Sequence, residues 1–168
     1  MTRSQMLADQ LESARRITLE TFNDLNTGQR LFQPAPDVNH PLWLLGHVAG
    51  SEDHLILGFC RGESLLPEGY GRLFAIGSTL LEDPSGYPAG EEVLDHMARV
   101  HEAALDYVRA ASEAELDQPP VSFDRLDGRA RELFATRGRC VWFHAHHEAM
   151  HAGQMGYIRR LLGKPPRI

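Results

Sequence analysis

A chain of 168 residues, 42% apolar and 24% charged, has the length and balance of one globular domain. A domain of that size buries about 70% of its unfolded surface, so neither a disulfide nor a metal is needed merely to fold it. The formal net charge of −6 argues against broad nucleic-acid backbone binding, and the apolar runs are too short to cross a bilayer.

Two cysteines, Cys60 and Cys140, make no disulfide framework, and the N-terminus carries no apolar signal core, so a reducing cytoplasm is the expected compartment. No repeat, low-complexity tract or composition break divides residues 1–168, and a single domain is expected.

Helical periodicity first runs from about Ser4 to Leu25, with Leu7, Leu11, Ala14, Ile17, Thr21 and Leu25 at spacings of three and four. Asn26-Thr27-Gly28 closes that helix. A second helix starts at Pro41, with Asn39 or His40 near the cap, and runs to about Cys60. Leu44, Val48, Leu55 and Phe59 form its stripe. Residues 63–89 hold too many prolines and glycines to be one helix, and short helical turns are expected there. A connection of that length suits a lid or a partner surface, with Tyr70, Phe74 and Tyr87 serving core or dimer packing more than a pocket wall. A third helix spans about Gly90 to Ser112, and a last one about Ala135 to Leu162. The pattern predicts an all-α, four-helix bundle with long crossover connections.

Four of nine histidines fall between residues 144 and 151. Cys140, His144, His147, His151, Met155, Ile158 and Leu162 repeat at steps of four and three, so three histidines stand on the stripe that should face the core. Imidazoles there need partners for their ring nitrogens. His147 and His151, one turn apart, can grip one metal ion. His146 falls on the opposite face.

His147-Glu148-Ala149-Met150-His151 also reads as H-E-x-x-H, the zinc-protease helix. Protease chemistry is rejected: the extended motif needs Gly and His where Gln154 and Tyr157 stand, and no His, Asp or Glu follows His151. A third ligand must lie upstream, and His47 in Leu45-Gly46-His47-Val48-Ala49 is the best candidate. Gly46 leaves room there for a neighbouring helix or the ligand cluster. His54 is about 10 Å further along the same helix. His40 caps or faces solvent, and His96 and His101 read as surface residues.

Trp43-Leu44-Leu45-Gly46-His47-Val48-Ala49, His147-Glu148-Ala149-Met150-His151-Ala152-Gly153-Gln154 and Arg159-Arg160-Leu161-Leu162-Gly163-Lys164-Pro165 together resemble the segments of the DinB-like superfamily of metal-binding four-helix bundles. The resemblance implies a site of His47, His147 and His151 and frequent homodimers. That superfamily includes mycothiol-dependent maleylpyruvate isomerases and bacillithiol transferases. His144 lies outside the implied pattern, as a partner of the ligands or a cavity residue.

Three neutral histidines leave a divalent ion with open positions. Zinc is the first expectation and nickel the second. An open position suits a low-molecular-weight thiol, which a metal readily deprotonates, or a water molecule. The expected function is thiol transfer to, or thiol-dependent isomerisation of, an electrophilic small-molecule substrate. A metal-dependent hydrolase and a non-catalytic, metal-stabilised stress or binding protein are the alternatives. Glu148 reads equally as a general base or partner of a ligand imidazole, and as a carboxylate paired with an arginine. Gln154 positions substrate or links helices.

Overall fold

The computed structural model describes residues 1–166, which form helices and loops with no strand among them. Four long helices make the bundle: α1 (Arg3–Asn23), α2 (Pro41–Glu52), α3 (Gly90–Ala110) and α4 (Arg137–Leu161). The all-α expectation holds. No helix among the described residues is long and apolar enough to cross a membrane.

Local chemistry accounts for the helix starts. Thr2 accepts from the Gln5 N–H at 3.2 Å while the Gln5 side chain accepts from the Thr2 N–H at 2.8 Å, a reciprocal cap on α1. His40 Nδ1 accepts from the Trp43 N–H at 3.0 Å, and Pro41 occupies the first turn of α2. Thr136 caps α4 through the Arg139 N–H at 3.2 Å.

Helix α2 does not end where its α-helical hydrogen bonding does. It continues through a π-helical stretch, Asp53–Gly58, and a last turn, Phe59–Arg61. The Asp53 carboxylate accepts from the Ser64 hydroxyl at 2.6 Å and the Leu65 N–H at 2.8 Å, so the wide turn is tied to the start of the crossover. Gly62 reverses the chain at a φ of 74°. The crossover itself is folded, with helical turns at Tyr70–Phe74 and Pro84–Gly86. Tyr70, Phe74 and Tyr87 are all buried, as core packing predicts.

The expected stripe is buried at Leu7, Leu11, Ala14, Thr21 and Leu25 and departs from expectation at Ile17. Ile17 is exposed, whereas Arg15, Thr18 and Phe22 are buried. The buried face extends to Arg15 because it has partners inside the bundle that no spacing of apolar residues reveals.

Two apolar clusters fill the interior. One gathers Phe22, Trp43, Leu45, Phe74, Met97 and Met155; the other gathers Leu7, Leu11, Ile56, Ala104, Val108 and Val141. Between them, every long helix contributes a polar residue to one layer: Arg15, Glu52, His101, and His144 with Glu148.

Candidate metal centre

His47 on α2 and His147 and His151 on α4 converge. The Nε2 atoms of His47 and His147 are 3.2 Å apart, and those of His151 and His147 are 3.0 Å apart. Three ligand atoms, one from each ring, all lie within 4.8 Å of one another. His47 is buried, and the two α4 histidines are half-buried. The core stripe of α4 thus divides: Cys140, His144, Met155 and Ile158 point inward, while His147 and His151 lie at its margin toward α2.

The outer nitrogens of His47 and His151 are held, whereas His147 Nδ1 has no hydrogen-bond partner among the described residues. His47 Nδ1 lies 2.7 Å from the Phe74 carbonyl, which can only accept, so Nδ1 carries the proton and Nε2 is bare. His151 Nδ1 donates likewise to Gln154 Oε1 at 2.8 Å, leaving its Nε2 bare. Two lone pairs therefore converge on His147 Nε2, which can offer at most one proton between them. Burial first, then the neighbouring imidazoles, pushes the His147 pKa down to about 3. Burial likewise lowers the pKa of His47 and of His151. Neutral imidazoles with their lone pairs aimed at one point fit a cation and fit poorly without one.

Helix α2 and the crossover build the His47 side of the centre. Trp43 stacks on the His47 ring, with centroids 4.8 Å apart and planes at 11°. Its indole N–H donates to Ser78 at 3.1 Å, and Ser78 donates to the Leu73 carbonyl at 3.1 Å. Gly46 has the room expected of it, and what approaches is the Phe74 ring rather than a ligand.

The remaining site candidates are placed as follows. Glu148 does not reach the triad; both its oxygens face Arg15, at 2.8 and 3.2 Å, so the arginine-paired reading of this residue is the one seen. His144 is fully buried, with Nε2 at 3.5 Å from Glu148 and 3.9 Å from Glu52. Gln154 holds His151. His40 is the α2 cap. His54 is exposed and packs on Phe59. His146 is exposed and lies against Trp142.

Two histidines read as surface residues are not so placed. His96 is buried edge-on to Tyr70, and His101 places Nδ1 2.8 Å from Glu52. Both lie beside the apolar stripe of α3: Glu52 of α2 draws His101 inward, whereas His96 packs on the Tyr70 ring and meets Arg99 and Glu92 of its own helix.

Arg15 and Glu52 are the residues that spacing alone missed. Each looks like an ordinary charged helix position. A cleft of about 620 Å³ between α1 and α3 reaches Arg15 and His101 but no histidine of the triad. The polar groups at its floor are already engaged with Glu52 and Glu148.

A family model described as the DinB superfamily matches residues 10–155. Among solved structures, the crystal structure of a conserved protein from Enterococcus faecalis is similar over 98% of this chain and 99% of that one. The TM-score is 0.66 at 22% identity, a likeness of fold alone. No curated protein matches the chain.

Proposed function

Because this chain belongs to the DinB superfamily, we propose that His47, His147 and His151 hold a divalent metal ion and that the protein transfers or uses a small thiol on an electrophilic small molecule. The observation that carries this reading is the convergence of three neutral imidazole nitrogens from two helices. Three protein ligands are the number that open, reactive sites use. Zinc is the first candidate and nickel the second, since imidazole suits both.

A divalent ion there would supply the positive charge that keeps a small thiol in its thiolate form at neutral pH. The chain's own residues orient the ligands. The Phe74 carbonyl and Gln154 fix which nitrogen of His47 and His151 faces inward. The sulfur of the small thiol forms the new bond to the electrophilic carbon, its proton passes to solvent, and the displaced group or π-electron pair leaves that carbon.

Both cysteines are buried, and the Cys60 thiol is pushed well above its usual pKa by Cys140 and by burial. This supports a thiol taken from solution. It also agrees with a reducing cytoplasm.

A non-catalytic, metal-stabilised bundle is the second reading. The engagement of Glu148 with Arg15 favours it, because that carboxylate is not available as a base. The same engagement weakens hydrolysis. A homodimer is proposed as well: Trp142, Met150, Tyr157 and Leu161 are exposed on α4, and light scattering tests it.

Elemental analysis of protein purified without a nickel column, followed by a thiol and electrophile panel, tests the main reading. One bound ion, with turnover abolished together with binding in His47→Ala, is the expected result. Binding with no turnover across the panel selects the non-catalytic bundle, and no binding rejects both.

A further inference from the structure

We propose that Arg15 is a positioning residue for the metal centre, locking the two ligand-bearing helices into register through the buried polar layer. This inference rests on the metal-binding reading of the triad. One guanidinium touches three other helices. Its Nε and one terminal nitrogen meet Glu148 of α4 at 2.8 and 3.2 Å. The same terminal nitrogen meets Glu52 of α2 at 2.6 Å, and the other donates to the Met97 carbonyl of α3 at 3.2 Å.

The two carboxylates belong to the helices that carry the ligands. Glu148 immediately follows His147 and precedes His151 by three residues. At about 100° per residue, His147 and His151 both lie on one flank of Glu148, roughly 60–100° around the helix. Turning Glu148 onto Arg15 therefore aims both imidazoles toward α2. Glu52 lies five residues after His47, at the last α-helical position before the π-helical stretch. Holding Glu52 fixes the rotation of α2 just where its hydrogen bonding changes.

The arrangement is not what stability alone calls for. The side chains of Arg15, Glu52 and Glu148 are 5%, 0% and 0% exposed. Ions this deeply buried cost desolvation, and apolar residues of similar volume often serve a fold as well or better. What a fork-shaped guanidinium supplies, and leucine does not, is direction: fixed donors that accept one rotation of each partner helix. His101 on Glu52 at 2.8 Å, and His144 3.5 Å from Glu148, complete the layer between the two apolar clusters.

Two variants separate positioning from folding. Arg15→Lys keeps the charge but loses the fork. The triple variant Arg15→Met, Glu52→Leu, Glu148→Leu removes the three mutually paired buried ions of this layer together, so none of them is left unpaired to unfold the bundle. Zinc affinity is measured by competition with a chelator, coordination geometry by the visible spectrum of the cobalt(II) form, and folding by circular dichroism and Tm.

The triple variant is expected to keep its helicity and a Tm at or above that of the wild type, bind zinc about 10–100-fold more weakly, and show a shifted cobalt spectrum. Arg15→Lys should fall between the two in affinity. A folded triple variant with wild-type zinc affinity and an unchanged cobalt spectrum overturns the proposal. So does a triple variant that fails to fold while folded Arg15→Lys binds zinc like the wild type. Wild-type protein that binds no zinc overturns the metal centre and this inference together.

Discussion

Replacing Gly46 with alanine sets two local effects against each other, and the sign of the result tells which one governs. In the interior of α2, alanine is favoured over glycine by about 1 kcal/mol, because less backbone freedom is lost on folding. Against this, a Cβ at residue 46 would sit 2.5 Å from two carbons of the Phe74 ring and 2.7 Å from a third. Carbons prefer about 3.5–4.0 Å, so the overlap exceeds about 1 Å. Phe74 is only 2% exposed and is bounded by Tyr70 and Tyr87, so the ring has nowhere to swing. Overpacking of this kind costs about 1–3 kcal/mol. The net expectation is a loss of up to about 2 kcal/mol.

Phe74→Ala on its own should cost about 3–5 kcal/mol through the cavity it leaves. In that background the clash is gone, and Gly46→Ala should stabilise by about 1 kcal/mol. The double-mutant cycle, read by urea unfolding, should therefore show a coupling of about 1–3 kcal/mol, the size of the clash. Phe74 also supplies the carbonyl that orients His47, so Gly46→Ala should weaken zinc binding by at least about tenfold. Stabilisation by Gly46→Ala in both backgrounds would refute the reasoning.

Acid stability supplies another test. Burial pushes the His40 pKa down to about 4, and its Nδ1 must stay unprotonated to accept from the Trp43 N–H. Between pH 6.5 and 4 the unfolded chain then binds more protons at this residue than the folded one, so stability falls as pH falls through that range. His40→Asn keeps a capping side chain that does not titrate, and the decline in Tm over that range should be shallower; an unchanged slope counts against the assignment. Both cysteines are buried, with the Cys60 thiol held above its ordinary pKa. A thiol reagent such as Ellman's should label the native protein only at the rate at which it opens, and rapid stoichiometric labelling would show that the thiols are accessible.

The bundle was legible because its signals are redundant: Pro41 starts one helix and Gly62 lies just past its last turn, Gly163 lies just past α4, and three- and four-residue spacing marks each buried face. His147 and His151 were legible for the same reason, since imidazoles at i and i+4 on such a face need a partner. His47 could be named only with the help of its neighbours in sequence, because nothing in α2 alone says which of its histidines points at α4. The polar layer could not be read. Arg15 lies among ordinary charged positions of α1, Glu52 precedes Asp53 in a run that reads as solvated, and His101 sits off the apolar centre of α3. Pairing across helices is a tertiary property, and helical periodicity carries no record of it. The π-helical stretch left no sequence signal either.

One consequence follows from the distance along the chain between the first imidazole and the other two. His47 and His147 are 100 residues apart. At roughly 5–20 residues per second, a ribosome takes about 5–20 s to make what lies between them. Throughout that interval His47 has no second donor to share an ion with, and a cation gains little by staying on one imidazole. An ion held as proposed would therefore be a late guest and not a seed, since its seat exists only once α4 has packed against α2. On that reading, a cell short of the ion would accumulate finished bundles awaiting cargo rather than unfolded chains.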